Sequence, residues 1–219
     1  MCSKHLNNQP CLRGKLIYFC FVNILKDQHI MYLFFDTETT GLPRNWKAPV
    51  SDSSNWPRMV QLAWLVYDDS GNRIGGEDFI IIPEGFSIPA GASNVHGITT
   101  ERAHRDGYEL EYVLQVFADQ IEKADSLVAH NIAFDEKIVG AEFYRKRIPS
   151  NLFNKPRLCT MKNSTNYCRI PGPYGYKWPK LSELHIKLFG EDFEDAHDAA
   201  ADINATAKCF WEMRDIGLI

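Results

Sequence analysis

The chain carries six cysteines but no C-x-x-C pair and no spacing that suits a zinc site. Cys2, Cys11, Cys20, Cys159, Cys168 and Cys209 therefore read as reduced thiols, as in a cytoplasmic protein. Long apolar runs are also missing. The stretch Leu16–Leu25 covers about ten residues, too few to cross a bilayer as a helix. Arg13 and Lys15 precede it, yet no small-x-small cleavage pattern follows, so a signal peptide is not completed. A membrane role is not expected. Internal repeats and low-complexity segments are absent, which excludes solenoids and disordered linkers. An excess of positive charge is lacking too: the net charge of −4 argues against coating duplex DNA by charge alone.

What remains is ordinary for a globular chain, with 45% hydrophobic and 24% charged residues. A length of 219 residues supports one domain with a substantial core. That domain is expected over residues 31–219. Residues 1–30 are read as an upstream extension or the product of a misassigned start codon, with an added helix or strand as the second reading. Mass spectrometry of the native N-terminus separates these.

Chemistry first shows in Phe35-Asp36-Thr37-Glu38-Thr39-Thr40-Gly41, which continues the apolar run Met31–Phe35. That run predicts a buried strand. Side chains alternate along a strand, so Asp36 and Glu38 share a face. Two adjacent carboxylates repel each other and lose hydration when buried, so a cation belongs between them. Mg²⁺ or Mn²⁺, hard ions that prefer oxygen ligands, suit the pair. Gly41 gives the chain freedom to turn out of the strand. Alone, D-x-E is also what an edge strand with solvated acids looks like, so the assignment needs further carboxylates.

They occur in two later segments. Leu127–Asp135 reads as a short strand running into a helix, with Asp135 in the first turn, where an acid suits the helix dipole. Ala196-His197-Asp198-Ala199-Ala200-Ala201-Asp202 leads into a long helix. His197 and Asp202 would lie about 140° apart if both were helical, so His197 is placed in the preceding loop, with Asp198 as a possible N-cap. Each segment alone is equally well read as a plain helix start.

Together, F-D-T-E-T-T-G, H-N-I-A-F-D and H-D-A-A-A-D resemble the three motifs of the DnaQ-like, or DEDDh, 3′–5′ exonucleases, the group that includes the epsilon subunit of bacterial DNA polymerase III. The resemblance covers roughly residues 30 to 214 and extends to Val95-His96-Gly97-Ile98-Thr99 and Lys180–Leu184. It implies two ions held by Asp36, Glu38, Asp135 and Asp202, with His197 as general base. A pair of ions about 3.5–4 Å apart suits in-line phosphodiester hydrolysis, and an imidazole suits proton removal near neutral pH. It also implies that Thr37, Leu42, His96, His130 and Phe134 border the terminal nucleotide. For His96 and His130 a satisfied, partly buried histidine is the competing reading, and for Phe134 core packing.

The expected substrate is the 3′ end of a single strand, DNA before RNA, with a nucleoside 5′-monophosphate as product. A DNA polymerase subunit is a second candidate partner, although the chain ends at Ile219 directly after its last predicted helix. A silent nucleic-acid-binding module is the other class. Residues 145–187 hold ten Lys or Arg against the single acid Glu183, interleaved with Phe153, Tyr167, Tyr174, Tyr176 and Trp178. That pattern suits a basic groove with stacking platforms, or a solvated face with anchoring aromatics.

The expected fold is an α/β, ribonuclease H-like mixed five-stranded sheet flanked by helices. Strands are predicted at 31–36, 60–67, 78–82, 126–130 and 157–161. Helices are predicted at 99–105, 109–123, 134–147, 180–189 and 198–214. Residues 43–58 read as a long loop close to the site, a candidate to face the substrate.

Overall fold

The computed structural model describes residues 30–193 and 198–219. Most of residues 1–30, and His197, lie outside them. The elements in order are β1 (Tyr32–Thr39), β2 (Met59–Tyr67), β3 (Arg73–Ile80), α1 (Ala90–His96), α2 (Thr100–Asp106), α3 (Leu110–Lys123), β4 (Ser126–Ala129), α4 (Ile132–Lys146), β5 (Arg157–Cys159), α5 (Thr160–Cys168), β6 (Pro171–Gly172), β7 (Gly175–Tyr176), α6 (Leu181–Phe189) and α7 (Ala199–Asp215). The main sheet has five strands in the order β3-β2-β1-β4-β5. The first three form an antiparallel meander, and β4 and β5 join in parallel through helical crossovers. This is the expected ribonuclease H-like arrangement.

Alternation along β1 decides which helix covers which face. Phe35 and its cross-strand partner Trp64 face α3: the Phe35 and Trp64 rings lie 5.5 and 5.2 Å from that of Phe117. Tyr32 and Phe34 point the other way and meet Phe210 of α7 at 5.3 and 5.1 Å. All of these except Tyr32 are fully buried, each contributing about 1.5–3 kcal/mol of transfer free energy. Ala199 at the start of α7 is also buried, where a larger side chain would hold the helix off the sheet.

A buried ionic contact joins the front of the sheet to α4. Glu142 is completely enclosed; its Oε1 accepts hydrogen bonds from Arg58 Nε at 2.9 Å and Met59 N at 3.0 Å, and Arg145 lies 2.9 Å away as a second cation. Arg145 also donates to the carbonyls of Ser53 and Trp56, so it serves neither as a groove residue nor as a solvated charge but as a structural one. Lys146 pairs with Glu84, Lys155 donates to the Glu122 and Ala124 carbonyls, Arg157 pairs with Glu136 and Lys177 pairs with Glu183. Much of the basic segment is therefore structural.

Three local expectations need revision. β3 starts at Arg73 rather than residue 78; its N-terminal half, Arg73-Ile74-Gly75-Gly76, has one β-branched residue and two glycines and so shows no alternation in the sequence. Gly76 is needed there: a Cβ would come within 2.8 Å of Leu65 Cδ2 and of the Trp64 carbonyl, and its φ is +155°. Helix α1 went unseen because Ala90–His96 buries only His96 and has no apolar period. Helix α5 replaces the end of the predicted fifth strand; it buries Thr160, Met161, Ser164 and Cys168, a helical spacing built largely from small polar residues.

Candidate active site

β1 outruns its parallel neighbour. β4 pairs only with Tyr32–Phe34, whereas β2 accompanies β1 as far as Thr39. The Asp36–Thr39 segment therefore has an open edge where β4 has stopped. Asn131, in the left-handed conformation with φ 72°, turns the chain there from β4 into α4. The turn brings Asp135 beside the open edge. Asp135 Oδ1 accepts hydrogen bonds from Thr37 Oγ1 at 2.8 Å and Thr37 N at 3.2 Å. A carboxylate from α4 thus takes the place of a strand partner.

On the α7 face of β1 stand Asp36 and Glu38, as the two-residue spacing predicts. Asp198 caps α7, with Oδ1 accepting from Ala200 N at 3.0 Å and Ala201 N at 3.1 Å. The helix then presents Asp202 to the pair on β1. One carboxylate oxygen from each of Asp36, Glu38 and Asp202 lies within 4.8 Å of the others.

The electrostatics of this cluster are unfavourable without a cation. Burial first, then Asp135, Asp202, Glu38 and Asp198, hold Asp36 well above the ordinary carboxylate range. Burial, reinforced by Asp202, Asp135 and Asp198, pushes Glu38 up to about 8. Burial raises Asp135 to about 7 despite its hydrogen bonds from Thr37. Among the described residues, no Lys or Arg forms an ion pair with Asp36 or Glu38. Oxygen donors this close, with like charges around Asp36 and Glu38, fit a hard divalent cation.

Beside the acids is a cavity of about 320 Å³ lined by Thr37, Glu38, Leu42, Val95, His96 and Phe134 among others. Four of the five residues expected to border a terminal nucleotide meet here. Leu42 projects into solvent with 73% of its surface exposed, beyond the turn at Gly41, whose φ is +146°. His96 is buried; its Nδ1 accepts from Ile98 N at 3.1 Å, and its Nε2 has no partner among the described residues. That bond fixes the tautomer: a neutral ring, favoured by burial, carries its proton on Nε2.

His130 stands apart. Its Nδ1 lies 2.9 Å from Thr160 Oγ1 and its Nε2 lies 3.0 Å from the Pro179 carbonyl. Burial lowers it to about 4. Both ring nitrogens are engaged, so here the satisfied-histidine reading holds: His130 ties β4 to α5 and to the segment before α6. The pattern D-x-E did not reveal that Asp198 adds a further negative charge near Asp36 and Glu38. Its place four residues before Asp202 was the available signal.

Residues 33–210 match the sequence profile of the RNase T family, described as Exonuclease. The chain is 27% identical over 203 residues to exodeoxyribonuclease I of Buchnera aphidicola, covering 85% of this chain and 40% of that protein. It is 30% identical over 208 residues to a PolC-type DNA polymerase III of Streptococcus pneumoniae, covering 89% of this chain and 13% of the polymerase. Among solved structures, a zinc-bound E. coli exonuclease I–ssDNA complex superposes with a TM-score of 0.69 at 22% identity, over 86% of this chain and 41% of that one. The chain thus spans well under half of each of these relatives.

Proposed function

From the premise that the chain belongs to the RNase T exonuclease family, we propose that it is a divalent-metal-dependent 3′–5′ exonuclease acting on single-stranded DNA ends. The observation that carries this is the trio Asp36, Glu38 and Asp202, converging within 4.8 Å beside a cavity lined by Leu42, His96 and Phe134. Exodeoxyribonuclease I and PolC among the relatives, and the ssDNA in the superposed complex, support DNA as the substrate.

Asp36, Glu38 and Asp202 would hold Mg²⁺ or Mn²⁺, two ions in all, with Asp135 completing the set. When bound, the ions supply charge neutralisation of the phosphodiester and activation of the attacking water. The chain's own residues do the rest. Thr37 holds Asp135 in place through two hydrogen bonds. Leu42 and Phe134 give the terminal nucleoside an apolar wall. His96 offers its Nε2–H as a donor to that nucleoside. His197 takes the proton of the attacking water, in a role carried by the motif His197-Asp198-Ala199-Ala200-Ala201-Asp202. The product is a nucleoside 5′-monophosphate.

The test is a time course on 5′-labelled single-stranded DNA, single-stranded RNA and a 3′-mismatched duplex with Mg²⁺, with Asp36→Asn as control. Stepwise shortening of single-stranded DNA that stops in Asp36→Asn supports the reading. Shortening of RNA alone, or unchanged turnover in the folded variant, overturns it.

A further inference from the structure

One buried amide beside the acids is only half used. Gln61 of β2 is 2% exposed; its Nε2 donates to Asp78 Oδ1 at 2.8 Å, and its Oε1 is buried without a donor among the described residues. We propose that Gln61 is a positioning residue of the cation site, its Oε1 accepting a hydrogen bond from a water in the hydration shell of the ion that Glu38 holds. The inference rests on the exonuclease reading and deepens it, adding a neutral acceptor that lies outside the three acidic motifs.

Strand register puts the amide there. Gln61 stands directly opposite Glu38, and Ala63 directly opposite Asp36, in the antiparallel β1–β2 pair. Opposite residues of such a pair share a face, with Cβ atoms about 4.5–5.5 Å apart. On its other side Ala63 is opposite Asp78 of β3. The methyl group of Ala63 leaves room above it, and Gln61 reaches diagonally past it to Asp78. That bond turns the amide nitrogen toward β3, so the carbonyl oxygen is carried back toward β1 and Glu38. Asp78 is exposed at the edge of the sheet, so the anchor stays hydrated.

Chemistry then decides what the oxygen awaits. A buried acceptor left without a donor is unfavourable, and an apolar side chain of the same length would avoid the penalty. The acids whose fields reach this corner are Asp36, Glu38, Asp198 and Asp202, with Asp78 at its rim. Once ionised to hold a cation, carboxylates accept hydrogen bonds and cannot donate them. Arg102, a cation whose field reaches Asp78, donates to the Gly97 carbonyl and lies 4.0 Å from Asp106. The missing donor therefore comes from outside the chain. A divalent ion at Asp36, Glu38 and Asp202 brings it, because such ions keep waters of their own and acceptors around a metal site orient its ligands. Gln61 is neutral, so it does this without adding to the negative charge already gathered there.

Calorimetric titration of Mn²⁺ into metal-free protein at pH 7 compares wild type with Gln61→Met, which keeps charge and length but removes the amide oxygen. Gln61→Met is expected to raise the Kd for Mn²⁺ about 10–100-fold while its metal-free Tm stays close to that of wild type. The Mn²⁺ concentration giving half-maximal shortening of single-stranded DNA should rise by the same factor, with KM for the DNA unchanged. Gln61→Glu, which restores an acceptor oxygen, should return the Kd to the wild-type value or below. Asp78→Ala, at an exposed position where folding is not at risk, should raise the Kd several-fold in the wild-type background and leave it unchanged in Gln61→Met. Equal Kd values for wild type and Gln61→Met, or additive losses from Gln61→Met and Asp78→Ala, overturn the role of Gln61 and leave the exonuclease reading standing. Wild-type protein that binds Mn²⁺ with these variant effects yet shortens no DNA overturns the exonuclease reading alone. Wild-type protein that binds no Mn²⁺ overturns both.

Discussion

Two acidic sites in this molecule, one buried and one half-buried, are resolved in opposite ways. Glu142 is sealed in the interior and meets two arginines and a backbone N–H. Asp36 and Glu38 are half-buried, their electrostatic neighbours are Asp135, Asp202 and Asp198, and the result is a strongly raised affinity for protons. The first arrangement carries its own counter-charge as folded, through Oε1 of Glu142, and it fastens β2 to α4. In the second, Asp36 and Glu38 meet no Lys or Arg among the described residues, and the oxygen donors fit a divalent cation. The same side-chain chemistry therefore serves structure where the protein supplies the counter-charge and function where it withholds it.

The comparison breaks most visibly in activity. Glu38→Gln is expected to reduce exonuclease turnover to background while leaving the fold intact, as read by circular dichroism and single-turnover assays. His197→Ala should cost roughly 10²–10⁴-fold in kcat at neutral pH. Glu142→Gln should do the reverse. It removes the buried counter-charge of Arg58 and Arg145 and costs about 3–5 kcal/mol of stability in urea titrations, with near-normal kcat in the folded fraction.

A pH series sharpens the contrast. The folded-state value of Glu38, about 8, lies above its ordinary 4.5. Such a group favours folding fully below about 4.5, and that contribution is lost as pH rises through 8. Metal-free protein should therefore lose Tm across pH 5 to 8.5, and saturating Mg²⁺ should remove most of the decline, because a ligand that binds the native state stabilises it. Glu38→Gln should flatten the same decline without metal. His130 acts in the opposite sense: lowered from 6.5 to about 4, it contributes stability above 6.5 that is lost as pH falls through 4. His130→Ala should cost about 1–3 kcal/mol through its two buried partners. The smallest effect belongs to Leu42→Ala, which should raise KM a few-fold with Tm unchanged, since the side chain is 73% exposed.

The parts of the site legible in the sequence were those with a period or a cap. The alternation of β1 placed Asp36 and Glu38 on one face, and Asp198 announced the start of α7. The order of strands and helices was readable because long apolar stretches such as Met59–Tyr67 leave little choice. Other features depended on tertiary contacts. Helix α1 has no apolar stripe, and α5 buries threonine and serine. Whether Arg145 belonged to a groove or a solvated face depended on Glu142, three residues away on α4, which holds it in neither. His130 looked like a substrate neighbour until Thr160 and Pro179, distant in the chain, occupied both nitrogens. Trp46 lay in a loop without periodicity, and only Phe134 and Lys137 show what it faces.

The central claim is that the Asp36–Glu38–Asp202 cluster is a cation site left open by the protein's own charges. Calorimetric titration of Mn²⁺ into metal-free protein at pH 7, repeated in buffers of different ionisation enthalpy, tests it directly. The account expects saturable binding accompanied by proton release, both abolished in Glu38→Gln and both retained in Glu142→Gln. Binding that survives Glu38→Gln and Asp202→Asn, or no binding by a protein that still shortens DNA, would contradict it.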